Sequence, residues 1–585
     1  MVQRSLQSPE PDFLAAHHRV LRRIYAARNI SSAHELSHKL EHLLPPHALA
    51  GLPQAVDLLS DALHEGKRIL IVADFDADGA TACALAVRAL RLLGATDVRY
   101  VVPNRFEFGY GLTPEIVAVA ARQNPALIIT VDNGISSIEG VHAARQLGIQ
   151  VLITDHHLPG ATLPEAHAIV NPNQPGDEFP SKNLAGVGVI FYVMLGLRAR
   201  LRECGWFALN NLNEPNLGQL LDLVALGTVA DVVPLDHNNR ILVAQGLARI
   251  RQSQCNAGIR ALIAIAGRQP DRIAASDLGF IVAPRLNAAG RLEDMSLGIE
   301  CLLCDDAAAA QLMAERLNEL NHERRTIETG MQEQALATLA TMELDADKLP
   351  SGLCLFNPDW HQGVIGIVAS RIKDRLHRPV IAFALSGEDE IKGSARSVTG
   401  LHIRDALDSI AARHPRLLSK FGGHAMAAGL SLKLADFAEF SAAFDAEVRR
   451  HLSETQMQGM LDSDGALWAD EISLELAQVL RSAGPWGQGF PEPVFDGVFE
   501  VVSGRLVGSK HLKLMLRHVD DECLIDAIAF NVDTALLTAL MPQPPVTASQ
   551  ASVACRKVHI VYRLDVNEYR GARTVQLLVQ QIELV

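Results

Sequence analysis

The feature that most constrains this chain is a five-residue apolar run, Ile69 to Ala73, that ends directly in Asp74-Phe75-Asp76-Ala77-Asp78-Gly79. From Arg68 onward such short runs alternate with amphipathic stretches, the pattern of a parallel sheet wound with helices. The runs predict strands over Ile69 to Ala73, Val98 to Val102, Leu127 to Val131, Val151 to Thr154 and Ala168 to Val170. Helical spacing falls between them over Ala80 to Leu93, Pro114 to Arg122 and Ile138 to Leu147, and Pro114 suits a first helical turn.

In an open parallel sheet, ligands collect beyond the carboxyl ends of the strands. Acids stand at those ends. Asp74, Asp76 and Asp78 follow the first strand, Asp132-Asn133-Gly134 the third and Asp155-His156-His157 the fourth; the helical run Leu220 to Thr228 then delivers Asp231. Bringing several carboxylates together is unfavourable unless cations neutralise them, because like charges push one another's pKa upward. Carboxylates with one or two imidazoles and no accompanying cysteine suit Mn²⁺ or Mg²⁺. Two such ions about 3.5 to 4 Å apart would activate water on one side of a phosphorus and stabilise the leaving oxygen on the other. Taken singly, each aspartate could also cap a helix or start a turn. The Asp-x-Asp-x-Asp-Gly pattern resembles the start of a calcium-binding loop as well. That alternative fails because the Glu expected six residues after the Gly is Leu85, and because this motif follows a strand rather than a helix.

A chain of 585 residues exceeds one hydrophobic core, and implies roughly three or four units of about 100 to 200 residues. The expected division is a helical N-terminal layer over 1–60, a catalytic α/β unit over 61–304, a connecting helix over 305–349, a second α/β unit over 350–455 and a β-rich unit over 465–585. Leu312, Leu317, Leu320, Ile327 and Met331 mark the connecting helix, and the last unit reads as a small barrel or sandwich with Pro542 to Ser552 as a surface loop. A net charge of −14 argues against a protein that coats nucleic acid non-specifically, while leaving room for a local basic groove. Cys301 and Cys304 lack the second pair that a zinc site needs and read as packing. The N-terminal residues carry no apolar core behind their charge, and no apolar stretch is long enough to cross a bilayer. A cytoplasmic protein without a membrane partner is expected.

Taken in order, Asp74-x-Asp-x-Asp-Gly, Val131-Asp132-Asn133-Gly134, Asp155-His156-His157 and Asp231 resemble the DHH phosphoesterase superfamily. Four further stretches are similar to its single-strand-specific exonuclease branch: Pro103-Asn104-Arg105-Phe106 through Gly109-Tyr110-Gly111, Arg285-Leu286-Asn287-Ala288-Ala289-Gly290-Arg291, Gly393-Ser394-Ala395-Arg396-Ser397 and Gly422-Gly423-His424-Ala425. The resemblance implies a parallel-sheet DHH domain, a second α/β domain joined by a long helix, and a C-terminal oligonucleotide-binding (OB-like) β-barrel. It implies two metal ions held by Asp74, Asp76, Asp78, Asp132, His156 and Asp231, with Asp132 bridging. Asp155 would orient a ligand or take part in catalysis, and His157 would contact the scissile phosphate or move a proton. The implied activity is processive 5′-to-3′ hydrolysis of single-stranded DNA to nucleotide 5′-monophosphates in DNA repair and recombination, beside a single-strand-binding protein and a helicase.

Substrate contacts are expected from the second lobe. The glycine-rich surroundings of Ser394 and Arg396 let N–H groups and a guanidinium approach a phosphate, although Arg396 could instead form a surface ion pair. Gly422, Gly423 and His424 read as a tight turn approaching the substrate or merely as a tight turn. Arg105, Arg285, Asn287 and Arg291 are candidates for lining the path or holding a 5′ phosphate. Tyr110 and Trp486 read either as base platforms or as packing anchors. Lys510, His511, Lys513 and Arg517 form a local basic patch in the last unit. Two rival functions remain: hydrolysis of short RNA, cyclic dinucleotides or pyrophosphate, and a non-catalytic DNA-binding scaffold.

Overall fold

A computed structural model describes residues 2–4, 11–104, 111–341, 349–508, 511–532, 540, 556–569 and 571–585. The N-terminal region holds helices α1 (Arg19–Ala27) and α2 (Leu52–His64), joined by short 3₁₀ turns rather than by further α-helix. The expected helical layer is therefore largely a strap, and it ties the N-terminus to the last unit. Strand Val2–Gln3 pairs in parallel with Asp462–Ser463. The Arg28 guanidinium holds both oxygens of buried Asp464 at 2.6 and 2.9 Å, and Tyr25 lies against the rings of Trp486 and Phe490. These are well-formed buried pairs, and buried pairs need such geometry to offset desolvation.

The catalytic sheet contains β1 (Ile69–Ala73), β2 (Val98–Val101), β3 (Leu127–Val131), β4 (Gln150–Thr154) and β5 (Ala168–Val170), all parallel in the order β2-β1-β3-β4-β5. Both faces are covered, so β1 and β3 are buried at every residue. The helices that follow the strands are α3 (Ala77–Leu92), α4 (Pro114–Ala121) and α5 (Ile138–Gln146). Helix α3 starts three residues earlier than its apolar spacing predicts, because Asp76 caps it. Helices α6 (Gly186–Glu203), α7 (Leu221–Ala230), α8 (His237–Arg251), α9 (Ala257–Ile265), α10 (Ala283–Leu292) and α11 (Ser296–Leu303) complete the unit. Cys301 lies in this core and Cys304 is partly buried, both as free thiols.

The connecting helix α12 (Ala307–Thr341) runs 35 residues. It leads to β6 (Leu353–Phe356), α13 (Ile365–Leu376), β7 (Val380–Leu385), β8 (Glu390–Arg396), α14 (Ile403–Arg413), β9 (Lys420–Gly423), β10 (Ala427–Lys433) and α15 (Phe437–His451). These strands form one mixed sheet in the order β9-β10-β8-β7-β6. After α16 (Leu474–Ser482), strands β11 (Phe495–Val507), β12 (His511–His518), β13 (Leu524–Ala529), β14 (Arg556–Tyr569) and β15 (Ala572–Leu584) close into a barrel in the order β11-β12-β13-β15-β14. The choice between barrel and sandwich is thus resolved in favour of a barrel.

For this last unit one sequence expectation is corrected and one open reading is resolved. The basic patch is largely neutralised by acids on neighbouring strands: Lys513 pairs with Asp526 at 3.1 Å, and Arg517 with Glu500 at 2.6 Å. Trp486 is a packing anchor rather than a base platform. It stacks on Phe490 at 5.0 Å, donates its indole N–H to the Leu480 carbonyl and lies under Arg28. Lys510 and the stretch Pro542 to Ser552 lie outside the described residues. Among the described residues, no helix is long and apolar enough to cross a membrane.

Candidate metal centre

Each acid of the cluster is placed by a strand end or a helix terminus. Asp76 Oδ1 accepts the N–H groups of Asp78 at 2.9 Å and Gly79 at 3.0 Å, and so fixes the start of α3. Asp74 Oδ1 accepts from the N–H of Phe75 at 2.7 Å. Asp78 receives the first N–H groups of α6, from Gly186 at 2.6 Å and Val187 at 3.0 Å, where a helix N-terminus favours negative charge. Asp132 leaves β3 in the left-handed conformation, at φ 63°, and Asn133 behind it donates to the carbonyls of Val72 and Val131, bracing β3 against β1. Asp231 ends α7, and the next residue, Val232, is held at φ 62°, a costly conformation for a β-branched side chain. Backbone strain of this kind persists where the surrounding structure imposes it, commonly at functional sites.

Among the described residues, donor atoms fall within 4.8 Å of one another in three sets: Asp74, Asp76 and Asp132; Asp78, His156 and Asp231; and Asp132, His156 and His157. The sets overlap at Asp132 and at His156. His156 Nε2 lies 3.1 Å from Asp132 Oδ1 and 3.4 Å from Asp231 Oδ2, yet is buried and makes no hydrogen bond. Burial, reinforced by the neighbouring carboxylates, pushes Asp132 well above its ordinary pKa. Burial also pushes Asp78 and Asp231 up to about 7, with Asp231 adding to the effect at Asp78 and Asp76 at Asp231. Burial and the charge of His157 hold His156 below its ordinary value, in the neutral form that offers a lone pair. Crowded carboxylates and a buried imidazole nitrogen without a hydrogen bond fit a divalent cation site. The oxygen-rich donor set matches Mn²⁺ or Mg²⁺.

Asp155 is positioned differently. Its Oδ1 accepts from the N–H groups of His156 and His157 and lies 2.7 Å from His157 Nδ1, while Oδ2 accepts from the N–H of Ile135 at 2.9 Å. The carboxylate is committed to orienting both histidines and belongs to none of the three donor sets. Burial opposes charge on His157, but the hydrogen bond and charge of Asp155 outweigh it and hold the imidazole up at about 9. A cationic imidazole therefore faces the site, and its ring lies 5.3 Å from that of His424, across from the second lobe.

The remaining expected residues divide. Arg285 donates to Asn318 on α12 and to the Ile281 carbonyl, and Asn287 accepts from the N–H of Ala77 at 2.8 Å. These bonds brace the Asp76–Asp78 turn and the connecting helix. Arg291 reaches across the lobes to the Gly363 carbonyl at 3.2 Å. Arg396 donates to Ser394 Oγ at 3.0 Å and to the Ala395 carbonyl. Gly422 and Gly423 lie in β9, where Gly423 adopts φ 147° before the tight turn through His424. Arg105 and Tyr110 lie outside the described residues.

Three glycines were missed by sequence reasoning. A Cβ on Gly186 would fall 2.5 Å from Asp132 Cβ, one on Gly227 would fall 2.7 Å from Asp78 Oδ1, and one on Gly366 would fall 2.7 Å from Arg396 Nη2. The only local signal was Gly186-Val187-Gly188 at the start of an apolar helix, which reads equally well as close helix packing.

A wound parallel sheet with this carboxylate–imidazole cluster, faced by a second α/β lobe, defines a DHH-type metal-dependent phosphoesterase. Family models match accordingly: the DHH family N-terminal domain over residues 68–228, the DHHA1 domain over 349–450 and the RecJ OB domain over 463–581. The chain is 55% identical to the single-stranded-DNA-specific exonuclease RecJ of Dickeya dadantii, covering 98% of this chain and 96% of that protein. It is 54% identical to the Escherichia coli protein of the same name, covering 96% and 95%. The crystal structure of RecJ from Thermus thermophilus in complex with Mn²⁺ superposes with a TM-score of 0.76 at 31% identity, covering 96% of this chain and 76% of that one. The chain belongs to the RecJ family of single-stranded-DNA-specific exonucleases.

Proposed function

We propose that this protein degrades single-stranded DNA from its 5′ end, releasing nucleotide 5′-monophosphates with the help of two Mn²⁺ or Mg²⁺ ions. The observation that carries this reading is the overlap of donor sets at Asp132, which sits between the acids after β1 and the His156–Asp231 pair. Asp74, Asp76 and Asp132 are assigned to one ion and Asp78, His156 and Asp231 to the other, with Asp132 shared. When bound, two such ions supply a nucleophile at neutral pH and offset charge on the attacked phosphate.

The protein's own groups do the rest. Asp155 fixes the ring plane of His157 and favours its charged form. The cationic His157 opposes phosphate charge or hands a proton to the leaving oxygen. Ser394, Arg396, Gly422, Gly423 and His424 of the second lobe, whose His424 ring faces that of His157, and Arg291, which reaches that lobe from α10, are assigned to the 5′-terminal nucleotide. In this division 61–304 performs the chemistry, 350–455 grips the end, and the barrel within 465–585 guides the strand. The barrel also weighs against a purely small-molecule substrate, which would not need it. Work in the cytoplasm beside a single-strand-binding protein and a helicase is inferred from the family resemblance alone.

The test offers 5′-labelled single-stranded DNA, duplex DNA, short RNA and pyrophosphate, each with Mn²⁺, with Mg²⁺ and with a chelator. Mononucleotide release from the single strand, abolished by the chelator, is expected. Survival of the single strand while RNA or pyrophosphate is cleaved would shift the function to the small-substrate reading. A second measurement addresses grip. Arg396→Ala should weaken binding of a 5′-phosphorylated oligonucleotide about tenfold, the scale of one lost charge-assisted contact, with Mn²⁺ affinity unchanged. Equal affinity for both proteins would remove Arg396 from the site.

A further inference from the structure

Away from the carboxylate cluster, the catalytic unit contains a recess of about 450 Å³ lined by three guanidiniums, those of Arg88, Arg91 and Arg249. It sits at the far ends of the helices that carry the cluster. Arg88 and Arg91 lie in the last two turns of α3, whose first turn holds Asp78, and the recess reaches Asp222 in the first turn of α7, which ends in Asp231. The ten to thirteen residues of helix between Asp78 and Arg88 to Arg91 place it roughly 15 to 20 Å from the catalytic acids.

The charges in the recess do not cancel. Arg88 is paired with exposed Asp305 at 2.8 Å and donates to the Leu302 carbonyl. Buried Asp222 is satisfied by the N–H groups of Leu223 at 2.9 Å and Asn256 at 2.6 Å. Arg249 donates one N–H to the Gln254 carbonyl, but its Nε is buried without a partner. Exposed Arg91 makes no hydrogen bond or ion pair among the described residues. Three guanidiniums against two carboxylates leave one net positive charge around the cavity, in a chain of net charge −14. A buried donor without an acceptor carries a desolvation cost, which an anion accepting from a guanidinium removes. Beside the charged groups the wall mixes leucines with the polar residues Gln219, Gln254 and Asn256, which suits a flat heterocycle whose edge hydrogen-bonds.

We propose that this recess is a second phosphate-binding site that takes a nucleoside monophosphate, distinct from the catalytic cluster. The choice of a nucleotide over other phosphate esters rests on the proposed reaction, which releases one; the anion site itself does not.

The experiment is photolabelling of the full-length, metal-free protein with 8-azidoadenosine 5′-monophosphate, with the labelled peptides mapped by mass spectrometry. Label is expected on peptides containing residues 219–223 or 252–256, competed by deoxyadenosine 5′-monophosphate but not by adenosine, and lowered about tenfold by Arg91→Glu. Label confined to peptides carrying Asp74 to Asp78 or Asp155 to His157 overturns the site, as does wild-type labelling of Arg91→Glu. Inorganic phosphate competing as well as the nucleotide overturns the nucleotide assignment. Because the readout needs no turnover, failure of the exonuclease reading would leave this result standing, and the converse also holds.

Discussion

Asp132→Asn should lower turnover on single-stranded DNA by roughly 10³-fold or more, and should raise the melting temperature of the metal-free protein. The first effect follows because this carboxylate is assigned to one ion with Asp74 and Asp76 and lies 3.1 Å from His156 Nε2, assigned to the other, so its loss weakens both proposed cation positions. Several kcal/mol of transition-state stabilisation depend on those positions, and each ~1.4 kcal/mol is a factor of ten in rate. The second effect follows from charge. Asp132 is buried among Asp74, Asp76, Asp78 and Asp231, and its folded pKa is raised above the unfolded value. A carboxyl shifted in that direction destabilises the fold at every pH above the unfolded pKa, so near pH 8 the neutral amide relieves repulsion. A gain of about 1 kcal/mol would appear as ~2–4 °C in a domain of this size. Scanning fluorimetry in chelator, then with added Mn²⁺, reads both parts: the variant melts higher without metal and gains less from it. A variant that melts lower without metal would mean Asp132 supports the fold, and near-wild-type turnover would remove it from the chemistry.

The sheet was readable in the sequence because its signal is local. Ile69 to Ala73, Leu127 to Val131 and Ala168 to Val170 are bounded as their apolar runs predict, since burial on both faces leaves no charged residue inside them. The acids were readable for the same reason: each stands directly beyond a strand or helix. What the sequence could not convey was which side chains face solvent and which are occupied by neighbours. Arg285 and Asn287 carry phosphate-binding chemistry, but α10 packs against the turn through Asp76, and Asn287 accepts a bond there while Arg285 donates one to α12. Lys513 and Arg517 form a basic patch in one dimension that Asp526 and Glu500 neutralise in three. Trp486 is flanked by glycines and looks exposed, until α1 and the Arg28 strap are brought from more than 400 positions away. The N-terminal region misled in the opposite direction: its leucine and arginine spacing is helical, but its role is to join the chain's two ends.

The glycines at the cluster were invisible for a further reason, since what matters about them is the absence of an atom. Gly186→Ala tests this directly. Its N–H, donated to Asp78, would be retained, so the substitution adds only a methyl group. That group would fall 2.5 Å from Asp132 Cβ and 2.6 Å from Oδ1, closer than unbonded carbon and oxygen atoms tolerate. Asp132 cannot swing away at small cost, because its backbone is already left-handed and Asn133 is fastened to β1 and β3. The carboxylate and the helix start must therefore separate, displacing the group shared between the donor sets. A misplacement near 1 Å costs on the order of 10²-fold in rate, and loss of ligand orientation about 10- to 100-fold in metal affinity. Gly188→Ala, two residues further along α6, is the control. Its Cβ would meet the Leu184 side chain at 3.2 Å, which can move, and alanine favours a helix interior by about 1 kcal/mol. Mn²⁺ titration and single-turnover cleavage of both variants should find Gly186→Ala impaired in both measurements and Gly188→Ala close to wild type. Equal impairment would point to the start of α6 as merely tightly packed. Full activity in Gly186→Ala would show that Asp132 has a freedom its surroundings deny it, and would remove the reason for placing it between two ions.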